Sequence, residues 1–342
     1  MKDVWLLGSI GFLLALSVVI LRSVAPALFP LYFVYIFVSI LAFWFFSQVG
    51  FEIVSIFSKH FYIISIILLI LTLIIGRVTN GAIRWIPLGP FTLQPAELVR
   101  PFLIAFFAVH LIRGELKFGK FVRVLVLLAL PTFLILVQPS LGVSILTVIG
   151  FFGVLISSNF DKKYVLMGLA ILLILLPISW NLLAPYQKGR LEAFLNPSSD
   201  PLGAGYNSLQ STIAVGSGKI FGKGLGKGIQ TQLSFLPEKQ TDFIFAAVSE
   251  ELGMVGAGMM LLATFIILFR LVIYMESATS PAARAYLSGF LLTYLIQVFI
   301  HTGMNMGILP ITGLPFPLVS AGGSSLLATM IGLGISLGAY RK

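Results

Sequence analysis

Asp242 stands between Thr241 and Phe243, where a polar stretch enters a long apolar run. Partial desolvation there raises a carboxyl pKa, while Lys239 or the positive end of a helix lowers it, so the group can be poised as a general base. Asp is also a favoured helix N-cap, and the residues alone leave both readings open. Glu250 and Glu251 lie deeper in the same run, where a carboxylate is costly and is either functional or paired with a basic side chain. Residues 216–228 are rich in glycine, with Lys219, Lys223 and Lys227 among them, and such a run can cradle phosphate. It is not a P-loop, because Lys223 is followed by Gly224 where that motif needs Ser or Thr. What remains is either a flexible connector or a backbone-and-lysine surface for an anionic, pyrophosphate-bearing ligand.

Other candidates are simpler. Gln94-Pro95-Ala96-Glu97 has the chemistry of a helix start, and Arg100, about one turn further in, needs a partner such as Glu97 or Glu250, or snorkels outward. His110 and His301 read as hydrogen-bonded packing residues, since no cluster at metal-ligand spacing surrounds them. Arg84 and Trp85 set a cation beside an aromatic face, suited to a sugar or a lipid head group.

The elements that must position these residues follow from composition. Of 342 residues, 58% are hydrophobic and 10% charged, which leaves too few polar side chains to cover a water-soluble globule. Lipid is therefore the solvent for most of the chain, and the expected class is an all-α polytopic membrane protein of about ten spans. The apolar runs fall at 4–21, 28–47, 61–76, 98–113, 121–137, 141–157, 164–183, 243–273, 285–304 and 322–340. Zero cysteines exclude a disulfide framework and thiolate chemistry.

A net charge of +10 suggests nucleic acid only until its placement is considered. Lys2, Lys59, Arg113, Lys117, Lys120, Arg123, Lys162, Lys163, Arg270, Arg284, Arg341 and Lys342 share one side, against Arg22, Arg77 and Arg84 in the short connections opposite. By the positive-inside rule the charge is a topology signal: both termini are expected in the cytoplasm, and no nucleic-acid partner is expected. Residues 184–242, between the seventh and eighth spans, form one long extracytoplasmic loop, and a connection of that length is usually functional. It carries Lys188, Arg190, Glu192, Asp200, Glu238 and Lys239, and a second outer connection, 77–97, carries Asn80 and Gln94 beside the residues already named.

The sequence resembles the SEDS family (shape, elongation, division and sporulation), and within it RodA more than FtsW. The stretch from Phe235-Leu236-Pro237-Glu238-Lys239-Gln240-Thr241-Asp242-Phe243 through Glu250-Glu251-Leu252-Gly253 carries the resemblance most specifically. Gly205-Tyr206-Asn207-Ser208-Leu209-Gln210-Ser211, the Arg84-Trp85 and Gln94–Glu97 segments, and Pro310–Pro315 with Ser320–Ser325 add to it. The resemblance covers nearly the whole of 1–342, taken as a single SEDS membrane domain of the bacterial cytoplasmic membrane. It implies a peptidoglycan glycosyltransferase that polymerises lipid II at the outer membrane face for elongation and cell shape, with a class B penicillin-binding protein as crosslinking partner. The family's essential carboxylate falls on Asp242, which displaces the capping reading.

The sequence departs from the family pattern in places. Ser140 stands where Gln-Pro-Asp-Leu-Gly usually places Asp, so no role of that Asp transfers. Ala96 replaces the usual Ser, Arg100 Lys, His301 Asn and Ala321 Tyr, and none of these falls within the Asp242 segment. Glycan extension needs a base for the attacking hydroxyl and positive charge for the departing pyrophosphate. Asp242 is the expected base. Arg190, Lys223, Lys227 and Lys239, with Glu238, Arg84, Trp85 and Glu97, are the expected substrate-binding residues. No cofactor is assigned, and a divalent cation (Mg or Mn) is left open. The competing class is a lipid II flippase or lipid-linked substrate transporter, for which related halves with paired broken helices are expected and not found.

Overall fold

The computed structural model describes residues 3–79, 82–89, 91–114, 117–158, 162–196 and 203–341. Asn80 and Asp200, noted for polar chemistry, and Lys2 and Lys342 of the charge pattern lie outside the described residues.

Each apolar run falls on a helix. In chain order these are α1 (Val4–Val24), α2 (Leu31–Gln48), α3 (Phe51–Ile75), α4 (Pro95–Leu98) continuing into α5 (Arg100–Ile112), α6 (Phe118–Val137), α7 (Leu141–Ser157) and α8 (Lys162–Ser179). After the long connection come α12 (Ile244–Ser277), α13 (Pro281–Asn305) and α14 (Gly323–Arg341). Among the described residues, 8 helices are long and apolar enough to cross a membrane, and Leu141–Ser157 is a shorter apolar one. The chain is an all-helical multi-pass membrane protein, as lipid requires: with no water to satisfy peptide groups, each span must close its own hydrogen bonds.

Two connections hold more structure than the apolar pattern foretold. Among the described residues of the first, β1 (Arg77–Thr79), β2 (Ala82–Leu88) and β3 (Phe91–Leu93) pair as a small antiparallel sheet in the order β1-β2-β3. Val78, Thr79, Ile83, Trp85 and Ile86 supply the β-branched and aromatic residues that favour strands. The long connection contains α9 (Pro185–Leu195), α10 (Ala204–Ser217) and the single turn α11 (Ile229–Gln232).

The chain divides into two compact units. One gathers Met1–Phe37, Pro185–Arg270 and Leu295–Leu326; the other gathers Val38–Ala184, Leu271–Tyr294 and Leu327–Lys342. In the second, Tyr62 of α3 stacks on Phe106 of α5 with ring centroids 4.3 Å apart, and its hydroxyl donates to the Leu127 carbonyl at 2.8 Å. Helices α7 and α13 meet there through glycines: a Cβ at Gly153 would sit 2.8 Å from Gly289 Cα, and Ser288 Oγ donates to the Gly153 carbonyl at 2.8 Å. In the first unit, a core of Ala214, Leu236, Phe243, Ala246, Met304 and Ile311 takes in Phe243, the residue after Asp242, and Leu236, six before it. Burial of Leu236 and Phe243 contributes about 1.5–3 kcal/mol each.

Candidate active site

Asp242 lies in the turn that leads into α12, and that turn is held mostly through its backbone. Asn305, wholly buried at the end of α13, donates to the Asp242 carbonyl at 3.0 Å and to the His301 carbonyl at 2.8 Å, and accepts from the Ala246 amide at 3.0 Å. Ser320 Oγ donates to the Thr241 carbonyl at 2.7 Å, and the Ala321 amide donates to the Gln240 carbonyl at 2.9 Å. The 314–320 segment that supplies these contacts is itself fixed. Gln297 donates to the Pro315 carbonyl at 2.9 Å, His301 Nδ1 lies 2.7 Å from the Leu314 carbonyl, and Ser17 of α1 donates to the Val319 carbonyl at 2.6 Å. His301 is thus a buried hydrogen-bonded residue. Ala321, a departure from the family pattern outside the Asp242 segment in sequence, is in backbone contact with it in space.

Arg190 of α9 and Asp242 both border Gly313. A Cβ built on Gly313 would lie 3.2 Å from Arg190 Nη1 and 3.6 Å from Asp242 Oδ2, so a guanidinium and a carboxylate flank one point where only hydrogen fits comfortably. Gly313 has φ 73°, a left-handed conformation that suits glycine. Arg190 also donates to the Ile311 carbonyl at 3.5 Å, and its guanidinium carbon sits 5.7 Å from the centre of the Tyr186 ring. A carboxylate able to take a proton therefore stands beside a fixed cation able to meet negative charge.

Glu238 is exposed and organises its own turn: with φ 49°, it accepts from Thr241 Oγ1 at 3.0 Å and Gln240 Nε2 at 3.3 Å through its carboxylate. Lys239 donates to the Thr231 carbonyl. Burial holds the Lys239 ammonium below the usual lysine range, with the Glu251 carboxylate opposing that shift. Lys227 is exposed to solvent.

The Gly-rich run is neither a loose connector nor an open cradle. Helix α12 breaks at Gly253 (φ 69°, ψ −166°), and residues 219–224 fill the break. The Lys223 and Gly224 amides donate to the carbonyls of Glu250 and Glu251 at 2.9 and 3.0 Å, while the Met254 and Val255 amides donate to Lys219 and Ile220 carbonyls at 2.8 and 3.1 Å. Gly218 and Gly222 are required by the same approach: a Cβ would come within 1.7 Å of the Ser249 carbonyl oxygen and 2.3 Å of that of Glu251. Lys223, expected to meet substrate, forms an ion pair with wholly buried Glu250 at 2.9 Å. That pairing is the structural alternative raised above for an intramembrane carboxylate.

Arg84, Trp85, Glu97 and Arg100 belong to the second unit. Arg84 and Trp85 are consecutive in β2, so their side chains leave opposite faces of the strand, and Trp85 registers against Arg77. Glu97 and Arg100 are both buried and attract each other. Ser140 accepts from Gln94 Nε2 at 3.4 Å. Sequence reasoning gave no role to Asn305, Gly313 or Ser320, although Gly313 and Ser320 lie in segments that carry part of the resemblance and Asn305 is a lone Asn ending an apolar run.

These features define a multi-pass membrane protein with a carboxylate–guanidinium site at the head of a broken helix. The FtsW/RodA/SpoVE family of cell cycle proteins matches residues 2–342, and the chain belongs to that family, the SEDS family. It is 42% identical over 295 residues to the peptidoglycan glycosyltransferase MrdB of Escherichia coli, spanning 83% of this chain and 78% of that protein. It is 37% identical to the probable peptidoglycan glycosyltransferase FtsW of Aliivibrio salmonicida, spanning 82% and 71%. Among solved structures it is similar to a chain from a peptidoglycan synthase complex that coordinates polymerization and crosslinking, with TM-score 0.84, 30% identity and 100% and 98% coverage. It is also similar to the rod shape determining protein RodA of Thermus thermophilus, with TM-score 0.75, 27% identity and 100% and 97% coverage.

Proposed function

We infer that the chain is a peptidoglycan glycosyltransferase of the RodA type that acts in cell shape, and that it polymerises lipid II with Asp242 as general base. The observation that supports the base assignment is the placement of Asp242 and Arg190 on either side of Gly313, on a turn fixed from three sides. In the reaction, a sugar hydroxyl of one lipid-linked disaccharide attacks the anomeric carbon of another. The carbon–oxygen bond to the polyprenyl pyrophosphate breaks, and the hydroxyl proton passes to Asp242. Arg190, with Lys227 on the same loop system, supplies positive charge for the pyrophosphate. Lys223 and Lys239, whose ammonium groups are engaged by Glu250 and the Thr231 carbonyl, shape the loop beneath the substrate. Glu238 orders the turn. The site faces outward, both termini lie in the cytoplasm, and a class B penicillin-binding protein crosslinks the product.

The test is Asp242→Asn in purified protein supplied with lipid II and its transpeptidase partner. Asn305 and Ser320 hold the turn by backbone carbonyls, which this substitution leaves in place, so folding is expected to survive. Polymerisation is expected to fall by about 10²–10⁴. A stable variant that builds glycan at the wild-type rate overturns the base assignment, and lipid II translocation without any polymer overturns the enzymatic reading.

A further inference from the structure

Two neighbouring carboxylates in a membrane-spanning helix, Glu250 and Glu251, are wholly buried, and the reaction just described does not use them. Burial of this kind persists only when each carboxylate is fully hydrogen-bonded or paired. Glu250 accepts from Lys223 Nζ at 2.9 Å and from the Gln230 and Thr231 amides at 3.0 Å each. Glu251 accepts from Ser23 Oγ of α1 at 2.6 Å, Gln232 Nε2 at 2.8 Å and Thr231 Oγ1 at 3.3 Å.

The two sets converge on Thr231, whose amide goes to one carboxylate and whose hydroxyl goes to the other. A neutral carbonyl at either position would satisfy fewer donors at lower strength, because ionised acceptors make the stronger bonds. The approach is close: a Cβ on Gly228 would lie 2.5 Å from Glu250 Oε2. From Thr231 the linkage runs outward. Its carbonyl accepts from Lys239 Nζ, and the Leu236 amide donates to the Gln230 carbonyl at 3.1 Å. Lys239 is three residues from Asp242, and Leu236 is buried in the core under the same turn.

We propose that Glu250 and Glu251 are positioning residues: they clamp residues 228–232 against the break in α12 and, through Thr231, Lys239 and Leu236, set the turn that carries Asp242. The proposal rests on Asp242 being the catalytic base. The pair touches no reacting atom, so its loss lowers turnover by misplacing the base and leaves substrate affinity nearly unchanged. A displacement of about 1 Å at a reacting group costs about 100-fold in rate, and a loosened clamp that moves the turn by a fraction of that costs about 10-fold.

The experiment uses the full chain with its transpeptidase partner, as wild type, Glu251→Gln, the milder Thr231→Val, and Asp242→Asn. It measures kcat and KM for lipid II polymerisation together with amide hydrogen exchange. Glu251→Gln is expected to lower kcat by about 10-fold with KM within about 3-fold, and to speed exchange over 228–243 while α3 and α5 stay protected. Thr231→Val is expected to shift both readouts in the same direction by less, and it decides the matter if Glu251→Gln does not fold. Asp242→Asn is expected to lose turnover with exchange unchanged. Faster exchange at 228–243 without loss of kcat overturns the proposal, as does loss of kcat with unchanged exchange. A wild-type chain that makes no glycan overturns the reading on which the proposal rests, a failure separate from these two.

Discussion

Gly313→Ala tests whether the placement of Arg190 and Asp242 around Gly313 matters to the chemistry. Alanine at φ 73° is strained by about 1–2 kcal/mol, and the added methyl lies 3.2 Å from Arg190 Nη1 and 3.6 Å from Asp242 Oδ2. The second distance is ordinary contact. The first requires the guanidinium to give way by a few tenths of an ångström. On the scale of about 100-fold per ångström of misplacement, that predicts a loss of about 5- to 10-fold in kcat. Backbone strain alone is controlled by Gly307→Ala, which also has φ 73° but whose methyl meets neither Arg190 nor Asp242, only Thr212 Oγ1, at 2.9 Å, an exposed hydroxyl that donates to the Ser208 carbonyl one turn back. Both variants are expected to lose similar thermal stability, and only Gly313→Ala is expected to lose turnover. The assay is glycan ladder formation from lipid II in detergent, with melting followed on the same preparations. A wild-type rate in Gly313→Ala, or equal losses of turnover in both, refutes that placement as part of the active geometry.

Two further outcomes follow from the same contacts and from the charge pattern. Asn305→Leu strands the Asp242 carbonyl and the Ala246 amide, at about 1–3 kcal/mol for each buried group left unmade, so a lower melting temperature together with reduced turnover is expected; unchanged melting contradicts the clamp role of Asn305. Because the chain has no cysteine, single thiols report topology cleanly: Leu195→Cys is expected to react with an impermeant reagent from outside in intact cells and Lys163→Cys only after lysis, and labelling of both from one side overturns the orientation.

The spans were legible because lipid enforces a simple rule, and the apolar runs became helices mostly within a few residues. The exception is α3, which starts at Phe51, ten residues before the run at 61–76, because Glu52, Ser55, Ser58, Lys59 and His60 interrupt its apolar pattern. The sheet of β1, β2 and β3 was not legible, since short strands between spans give little periodicity, although Asn80-Gly81 is a hairpin signal in sequence. The glycines from 216 to 228 were read for phosphate because glycine marks any close backbone approach, and sequence does not say whether the approaching group is a ligand or another stretch of the same chain. Here it is the carbonyls at the break in α12. Asp242 stood out by its position at a polar-to-apolar boundary. Its supports did not, because Asn305, Ser320 and Ala321 act on it from more than sixty residues away, through hydrogen bonds that leave no local pattern.

The contact at Ala321 is made by an amide, and an amide is the same whatever side chain it carries. Position 321 can therefore exchange a large aromatic for a methyl without disturbing the carbonyl of Gln240, and drift at this site is decoupled from the fidelity of the turn it supports. Asn305 and Ser320 have no such freedom, since they hold the same turn by their side chains, so divergence at 321 is a poor guide to loss of activity and divergence at 305 or 320 a good one.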